Sequence, residues 1–251
     1  MPNSAVPIRV LRSRDRSGAY LVSLCIGTGL FGMFFFLTLF VQNVLGYSPL
    51  RTGVAYLPMA AMIMVASGVA SQLVPRVGAR PLMIAGGVLS TGGMLWLSRV
   101  TEHSTYASGL LGPMLLTATG LGLLFAPLLL VSLIKVANND TGVASSLVNV
   151  GQQVGGAVGL AVLGTVAWSA VANSLRSQAA AAAKAATVHL SAAQAAAAQK
   201  AASNHAIAHG FSQGYIVSAG IMALALIITV VLIRVKREDL SGINPMAAPA
   251  D

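Results

Sequence analysis

Residues Tyr20–Val44 read YLVSLCIGTGLFGMFFFLTLFVQNV, and the run contains no Asp, Glu, Lys or Arg. As an α-helix rising about 1.5 Å per residue it exceeds the roughly 30 Å hydrocarbon core of a bilayer. A surface helix of a soluble protein turns a charged face to water, and this run has none to turn. Five more uncharged runs follow, at 53–74, 82–98, 107–134, 143–172 and 214–233. Together the six leave all 15 Lys/Arg and all six Asp/Glu outside. The expected fold is an all-α membrane protein with six transmembrane helices.

Composition fixes the solvent in the same way. The 251-residue chain is 56% hydrophobic and 8% charged, where a soluble domain is about 25% charged. The net charge of +9 would suit nucleic acid, but the basic residues form no patch interleaved with aromatics, so no nucleic-acid partner is expected. They sit at the ends of the apolar runs. With a cytoplasmic N-terminus, the inner side holds Arg9, Arg12, Arg14, Arg16, Arg76, Arg80, Lys135, Arg234, Lys236 and Arg237. The outer side holds Arg51, Arg99, Arg176, Lys184 and Lys200. The excess of basic residues inside predicts a multi-pass protein of the plasma (cytoplasmic) membrane with both termini cytoplasmic. Tyr20, Tyr47, Trp96, Tyr106, Trp168 and Tyr215 fall near run ends, as an interfacial aromatic belt would.

The expected organisation is a lead-in or linker over 1–16, a six-helix half-domain over 17–235 and a cytoplasmic tail over 236–251. Within the half-domain an alanine-rich outer loop covers about 173–209. Its alanines favour helix but gain little from lipid, so it reads as an exposed or surface-lying helix and not as a seventh crossing.

No ionisable side chain lies within a run, so the chain offers no group of its own for a proton relay. Neutral polar residues remain. Asn149, Gln152 and Gln153 stand at i, i+3, i+4 and share a helix face. An amide facing lipid goes unsatisfied, so these side chains are expected to meet a cavity, a helix or a partner. Gly151, Gly155 and Gly159, with Gly156 beside them, form a ridge suited to close helix packing. The substrate-cavity candidates are Phe35, Gln42, Asn149, Gln152 and Gln153. The stretch Gly27–Gly32 matches G-x-G-x-x-G but lies within a crossing with no βαβ unit, so it is no nucleotide site. His103, His189, His205 and His209 read as solvated residues of outer loops without metal-ligand spacing. No histidine lies at membrane depth for an intramembrane serine protease. Neither an enzyme nor a cofactor or metal is expected.

Two stretches carry a resemblance. One runs Gly29-Leu30-Phe31-Gly32-Met33-Phe34-Phe35 and on through Val41-Gln42-Asn43-Val44-Leu45-Gly46-Tyr47-Ser48-Pro49-Leu50 to Gly53 and Leu57-Pro58. The other runs Thr141 to Gly159. In this order and spacing the chain resembles the C-terminal half of a transporter of the major facilitator superfamily, in its fourteen-helix drug/proton antiporter branch. Residues 71–80 are similar to that family's inner-loop motif. Arg76, Gly78 and Arg80 match it, while Ser71, Pro75 and Ala79 replace three of its positions.

The resemblance implies one half of a major facilitator fold, built as two inverted three-helix units. It implies a role in efflux of amphipathic small molecules, by proton antiport in the complete protein. It also implies partners: the lipid bilayer, and either a missing N-terminal half carrying the coupling acids or a second copy. On this reading the chain is a truncated or split product, or a fragment of a longer frame. The alternative is a non-transporting remnant or a membrane interaction subunit.

Overall fold

The computed structural model describes residues 13–134, 136, 140–184 and 191–235; the lead-in before 13 and the tail after 235 lie outside them. Helix α1 spans Arg14–Asn43. A short α2, Pro49–Ala55, and α3, Leu57–Val77, follow, then α4, Ala79–Leu97. A π-helical turn at Tyr106–Leu110 leads into α5, Leu111–Leu133. The two longest helices are α6, Thr141–Lys184, and α7, Ala192–Leu232. No strand occurs among the described residues.

The breaks follow local chemistry. Gly46 takes φ +68°, and the Ser48 hydroxyl accepts from the Arg51 N–H at 3.3 Å. Pro49 then opens α2 where no N–H is needed. Gly78 alone joins α3 to α4 at φ +92°, a conformation glycine adopts without the clash a Cβ would bring.

Five stretches are long and apolar enough to cross a membrane: Arg14–Asn43, Pro49–Val77, Tyr106–Leu133, Thr141–Ala182 and Ala193–Leu232. The sixth helix of the bundle, α4, has 19 residues, about 28 Å of helix. Its apolarity is diluted by small residues that let neighbours approach. A Cβ at Gly86 would sit 2.6 Å from the Gly120 carbonyl oxygen, and one at Gly87 3.2 Å from Leu226 Cβ.

Contacts fix the helix directions. Along α1 and α6, Leu24 meets Gly155, Thr28 meets Gly159 and Gly32 meets Leu163, so this pair is parallel. Tyr106 donates to the Ala55 carbonyl at 2.6 Å and Gly122 meets Ala66, so α3 and α5 are parallel too. The antiparallel pairs are α1/α7, α4/α5, α4/α7 and α6/α7. Exchanging α1–α3–α4 with α5–α6–α7 maps the parallel pair α1/α6 onto α5/α3 and the pair α1/α7 onto α5/α4. That is the relation of two inverted three-helix units. Burial obeys it: 61% of the most apolar window of α1 and 56% of that of α5 are buried, against 17% for α3 and 33% for α6.

The alanine-rich stretch differs from expectation. Its described residues are not a separate surface-lying helix but continue α6 to Lys184 and begin α7 at Ala192. Ser191 caps α7, its hydroxyl accepting from the Gln194 N–H while Gln194 Oε1 accepts from the Ser191 N–H. At 44 and 41 residues the two helices measure about 66 and 62 Å, roughly twice the hydrocarbon thickness. Alanine supplies the helix propensity, and its small side chain lets the antiparallel pair close. Gly210 abuts Ala167 and Val171, and Gln178 donates to the Ala202 carbonyl at 3.4 Å.

The α1/α6 crossing predicts a sharp mutational contrast. A Cβ at Gly155 would overlap the Leu24 carbonyl oxygen, whereas at Gly164 it would meet nothing within 4 Å. Gly155→Ala is expected to destabilise the detergent-solubilised chain by about 1–3 kcal/mol, while Gly164→Ala leaves stability unchanged or slightly higher. Thermal unfolding followed by tryptophan fluorescence measures both, and equal midpoints would contradict a backbone-to-backbone crossing.

Candidate functional site

Helix α6 organises the exposed face through four ridges, each a series of every fourth residue. Gly151, Gly155, Gly159, Leu163, Ala167 and Val171 turn inward, first against α1 and then against α7. Thr28 Oγ1 donates across this seam to the Gly155 carbonyl at 2.7 Å. Val150, Val154, Val158 and Val162 form an exposed ridge of uniform apolar character. Opposite the inward ridge stand Asn149, Gln153, Ala157, Ala161, Thr165, Ser169, Asn173 and Ser177, every one exposed. Gln152 and Gly156 lie on the fourth ridge. Gln152 is partly buried where Gly27 meets its backbone, and Gly156 is covered by the Phe31 ring.

The exposed polar ridge continues into a groove of about 840 Å³ between α6 and α7. Thr165, Ser169, Asn173 and Ser177 line it from α6, and His205, His209 and Gln213, again four apart, line it from α7. Sequence reading singled out Asn149 and Gln153 but not Thr165 and Ser169 of the same run, and Asn173 and Ser177 lie beyond its end at Ala172. The shared spacing of four was the signal that would have joined them.

A second exposed cluster lies on α1. Phe31, Phe34 and Phe35 are exposed, and Thr38 Oγ1 shares a 2.7 Å hydrogen bond with the Tyr56 hydroxyl. The Tyr56 ring stands 5.0 Å from that of Phe34. Tyr56, at the junction of α2 and α3, was missed in the sequence because nothing local ties it to α1. Phe36, the neighbour of Phe35, points the other way and packs in the core on Phe211 at 5.2 Å.

The two clusters do not converge. Phe35 lies eight residues beyond Gly27, where α1 meets Gln152, or about 12 Å along the axis, and Gln42 lies about 22 Å beyond it. Among the sequence candidates, Asn149, Gln152 and Gln153 stay together at one level, and Phe35 and Gln42 stand apart from them on α1.

At the end of the bundle where both described chain ends meet, Arg14 donates to the Val231 carbonyl at 2.8 Å and Arg80 to the Val230 carbonyl at 2.9 Å. Asp15 Oδ1 accepts from the Arg234 N–H at 2.6 Å. Two guanidiniums thus serve carbonyls that the C-terminus of α7 leaves without helical partners, at the negative end of its dipole. Of the inner-loop motif, Arg76 is exposed in the last turn of α3, Gly78 makes the turn and Arg80 makes this cap. Among the described residues no group of three His, Cys, Asp or Glu is placed to hold a metal ion.

The family model of the Major Facilitator Superfamily matches residues 2–160, and the chain belongs to that family. It is 33% identical over 236 residues to the puromycin resistance protein pur8 of Streptomyces alboniger, covering 93% of this chain and 43% of that protein. It is 41% identical over 155 residues to the cephamycin export protein CmcT of Amycolatopsis lactamdurans, covering 61% of this chain and 32% of that one. A crystal structure of a bacterial homologue of the human lysosomal transporter Spinster, inward-facing and occupied, superposes with a TM-score of 0.72 at 16% identity. That match covers 95% of this chain and 53% of the other. The chain therefore spans about half the length, or less, of the proteins it matches.

The arginine cap predicts a local effect. Arg80→Ala is expected to cost about 1 kcal/mol, the value of a partly exposed charge-assisted hydrogen bond. The loss should be confined to the last turn of α7, read as faster amide exchange in residues 229–233. Arg80→Lys should restore only part of it, since an ammonium lacks the planar fork. Unchanged exchange in Arg80→Ala would remove the cap from the account.

Proposed function

We propose that the chain forms the C-terminal half of a multidrug-type efflux transporter of the plasma membrane, with proton antiport in the complete protein. The observation that carries this reading is the exposed polar ridge of α6. Asn149 and Gln153 lie within a span and have no protein hydrogen-bond partner among the described residues, and lipid offers them none. A second six-helix half, or water in a passage beside it, would satisfy them. The neighbouring valine ridge suits hydrocarbon. The printed names of the relatives, puromycin resistance and cephamycin export, support small-molecule efflux. The aromatic cluster of Phe31, Phe34, Phe35 and Tyr56 fits an amphipathic substrate better than a strongly polar one.

The excess of basic residues at the end bearing Arg14, Arg80 and Arg234 supports a cytoplasmic position for that end and for both termini. Phe35 and Gln42 on α1 then lie at depths different from that of the amides on α6. The proton-coupling acids would come from the other half, since this chain's acidic residues all lie outside its six uncharged runs.

The reading is tested in cells stripped of efflux pumps, expressing the chain alone, with the N-terminal half of the Streptomyces alboniger relative, or with an empty vector. Dye accumulation should fall only in the co-expressing cells, and a protonophore should restore it. Gln153→Leu should weaken association of the halves by about 0.5–2 kcal/mol and reduce efflux at an unchanged membrane level. Equal accumulation in all three cultures would favour the non-transporting reading.

A further inference from the structure

Away from the chain termini, the other end of the bundle carries a titratable cluster that the transport reading does not use. Glu102 lies in the connection between α4 and α5, 103 residues before His205 of α7, yet His205 Nδ1 and Glu102 Oε1 stand 2.9 Å apart. The sequence reading of His205 as a solvated loop residue is thereby corrected: it is helical and paired. His103 Nε2 approaches the same oxygen at 3.7 Å. About two turns beyond His205, the Ser212 hydroxyl donates to the Ser98 carbonyl. These are the ties between the projecting part of α7 and this connection.

The position of the pair gives it leverage. His205 and His209 line the 840 Å³ groove between α6 and α7 on one side. On the other they line a cavity of about 200 Å³ with Ser98, Arg99, Thr101, Glu102 and Ser212. The two imidazoles border both spaces.

We propose that Glu102 and His205 form a proton-operated latch that fastens the projecting part of α7 to the α4–α5 connection. When the imidazole is protonated the contact is an ion pair. When it is neutral the contact is a hydrogen bond without opposite charge. Imidazoles change charge within the range of about pH 5–8. The hydrogen bond from His205, more than any other influence, holds the Glu102 carboxyl below its usual range. The carboxylate therefore stays charged through mild acid, and the contact is lost only when the pH falls through that lowered value. The latch is tightest in mildly acidic solution and loosens as the pH rises through the imidazole range.

The charged and titratable groups facing His205 are few. The connection presents Glu102, Arg99 and His103, and α7 itself presents His209. From α6 the groove that His205 lines receives no charged or titratable side chain, its polar lining there being Thr165, Ser169, Asn173, Ser174 and Ser177. Lys200, earlier on α7, lines a different groove with Asn43 and Asn204. Of these groups, Glu102 alone lies within hydrogen-bond distance of the His205 ring, at 2.9 Å.

Exchange at the Val100, Thr101 and Ser104 amides, which are hydrogen-bonded within the connection, tests the latch. The full chain in nanodiscs is measured at about pH 6 and about pH 8.5 and corrected for intrinsic rates. An exposed pair of this kind supports at most about a fivefold change in protection. Protection should be higher at the lower pH. The difference should vanish in Glu102→Gln and in His205→Gln, persist in His103→Gln, and return in the exchanged pair Glu102→His/His205→Glu. Equal protection at both pH values would overturn the proposal, as would a pH dependence that survives both single variants. Neither result depends on whether the chain transports anything.

Discussion

The architecture depends on how closely α1 and α6 approach. Inside a bilayer two helices gain no hydrophobic energy by leaving lipid for each other, so association rests on dispersion at short range and on the few hydrogen bonds available. Here the approach reaches the backbone. Gly27 lies on the Gln152 carbonyl and Gly155 on that of Leu24, and Thr28 bridges its own helix and the next, donating to Leu24 O at 3.2 Å and Gly155 O at 2.7 Å. Once the inward ridge of α6 is committed to this seam, the directions of the other three ridges follow from helix geometry. Valines face out on one side, and amides and hydroxyls on the other. The polarity of the outer face is thus a consequence of the glycine spacing.

Charge is handled differently. With none in the uncharged runs, it acts at the two ends of the bundle, and the ends are unlike. At the terminal end Arg14 and Arg80, from two different helices, converge on consecutive carbonyls at the C-terminus of α7. Asp15 receives the N–H of Arg234 just beyond. This ties α1 and α4 to the last helix of the bundle. Arg80 finds its partner without an acidic side chain, because the helix terminus supplies partial negative charge of its own. At the other end the pairing is between a carboxylate, Glu102, and an imidazole, His205, both of them groups that exchange protons.

Much of this was legible in the chain. Length and lack of charge marked the spans, because lipid tolerates few alternatives to an apolar helix. The glycine ridge and the inner-loop turn at Gly78 were legible too, since close approach and a positive φ both demand a residue without Cβ. Three features were not. The ends of α6 and α7 were misjudged because alanine is neutral between water and lipid, so hydropathy cannot show where an alanine-rich helix stops. Tyr56 and Thr38, 18 residues apart, meet only because α2 turns the chain back. Glu102 and His205 are paired by the return of α7 along α4. Contacts of that separation carry no periodic signal.

Burial completes the argument about which surface is unfinished. By the twofold relation α3 and α6 occupy equivalent places, each resting one stripe on a central helix, α5 or α1, and leaving the rest uncovered. Yet their uncovered faces differ in chemistry. That of α3 shows Leu57, Met64, Val65 and Val69, side chains at ease in hydrocarbon. That of α6 sets a valine ridge beside an amide and hydroxyl ridge. If both faces met only lipid, the symmetry would favour similar residues on the two helices, and Asn149 and Gln153 would cost free energy for nothing. On the proposed reading the completing half contacts α6 along its polar ridge while the valines remain in lipid. The orientation of the missing partner would then be written in the alternation of ridges on a single helix.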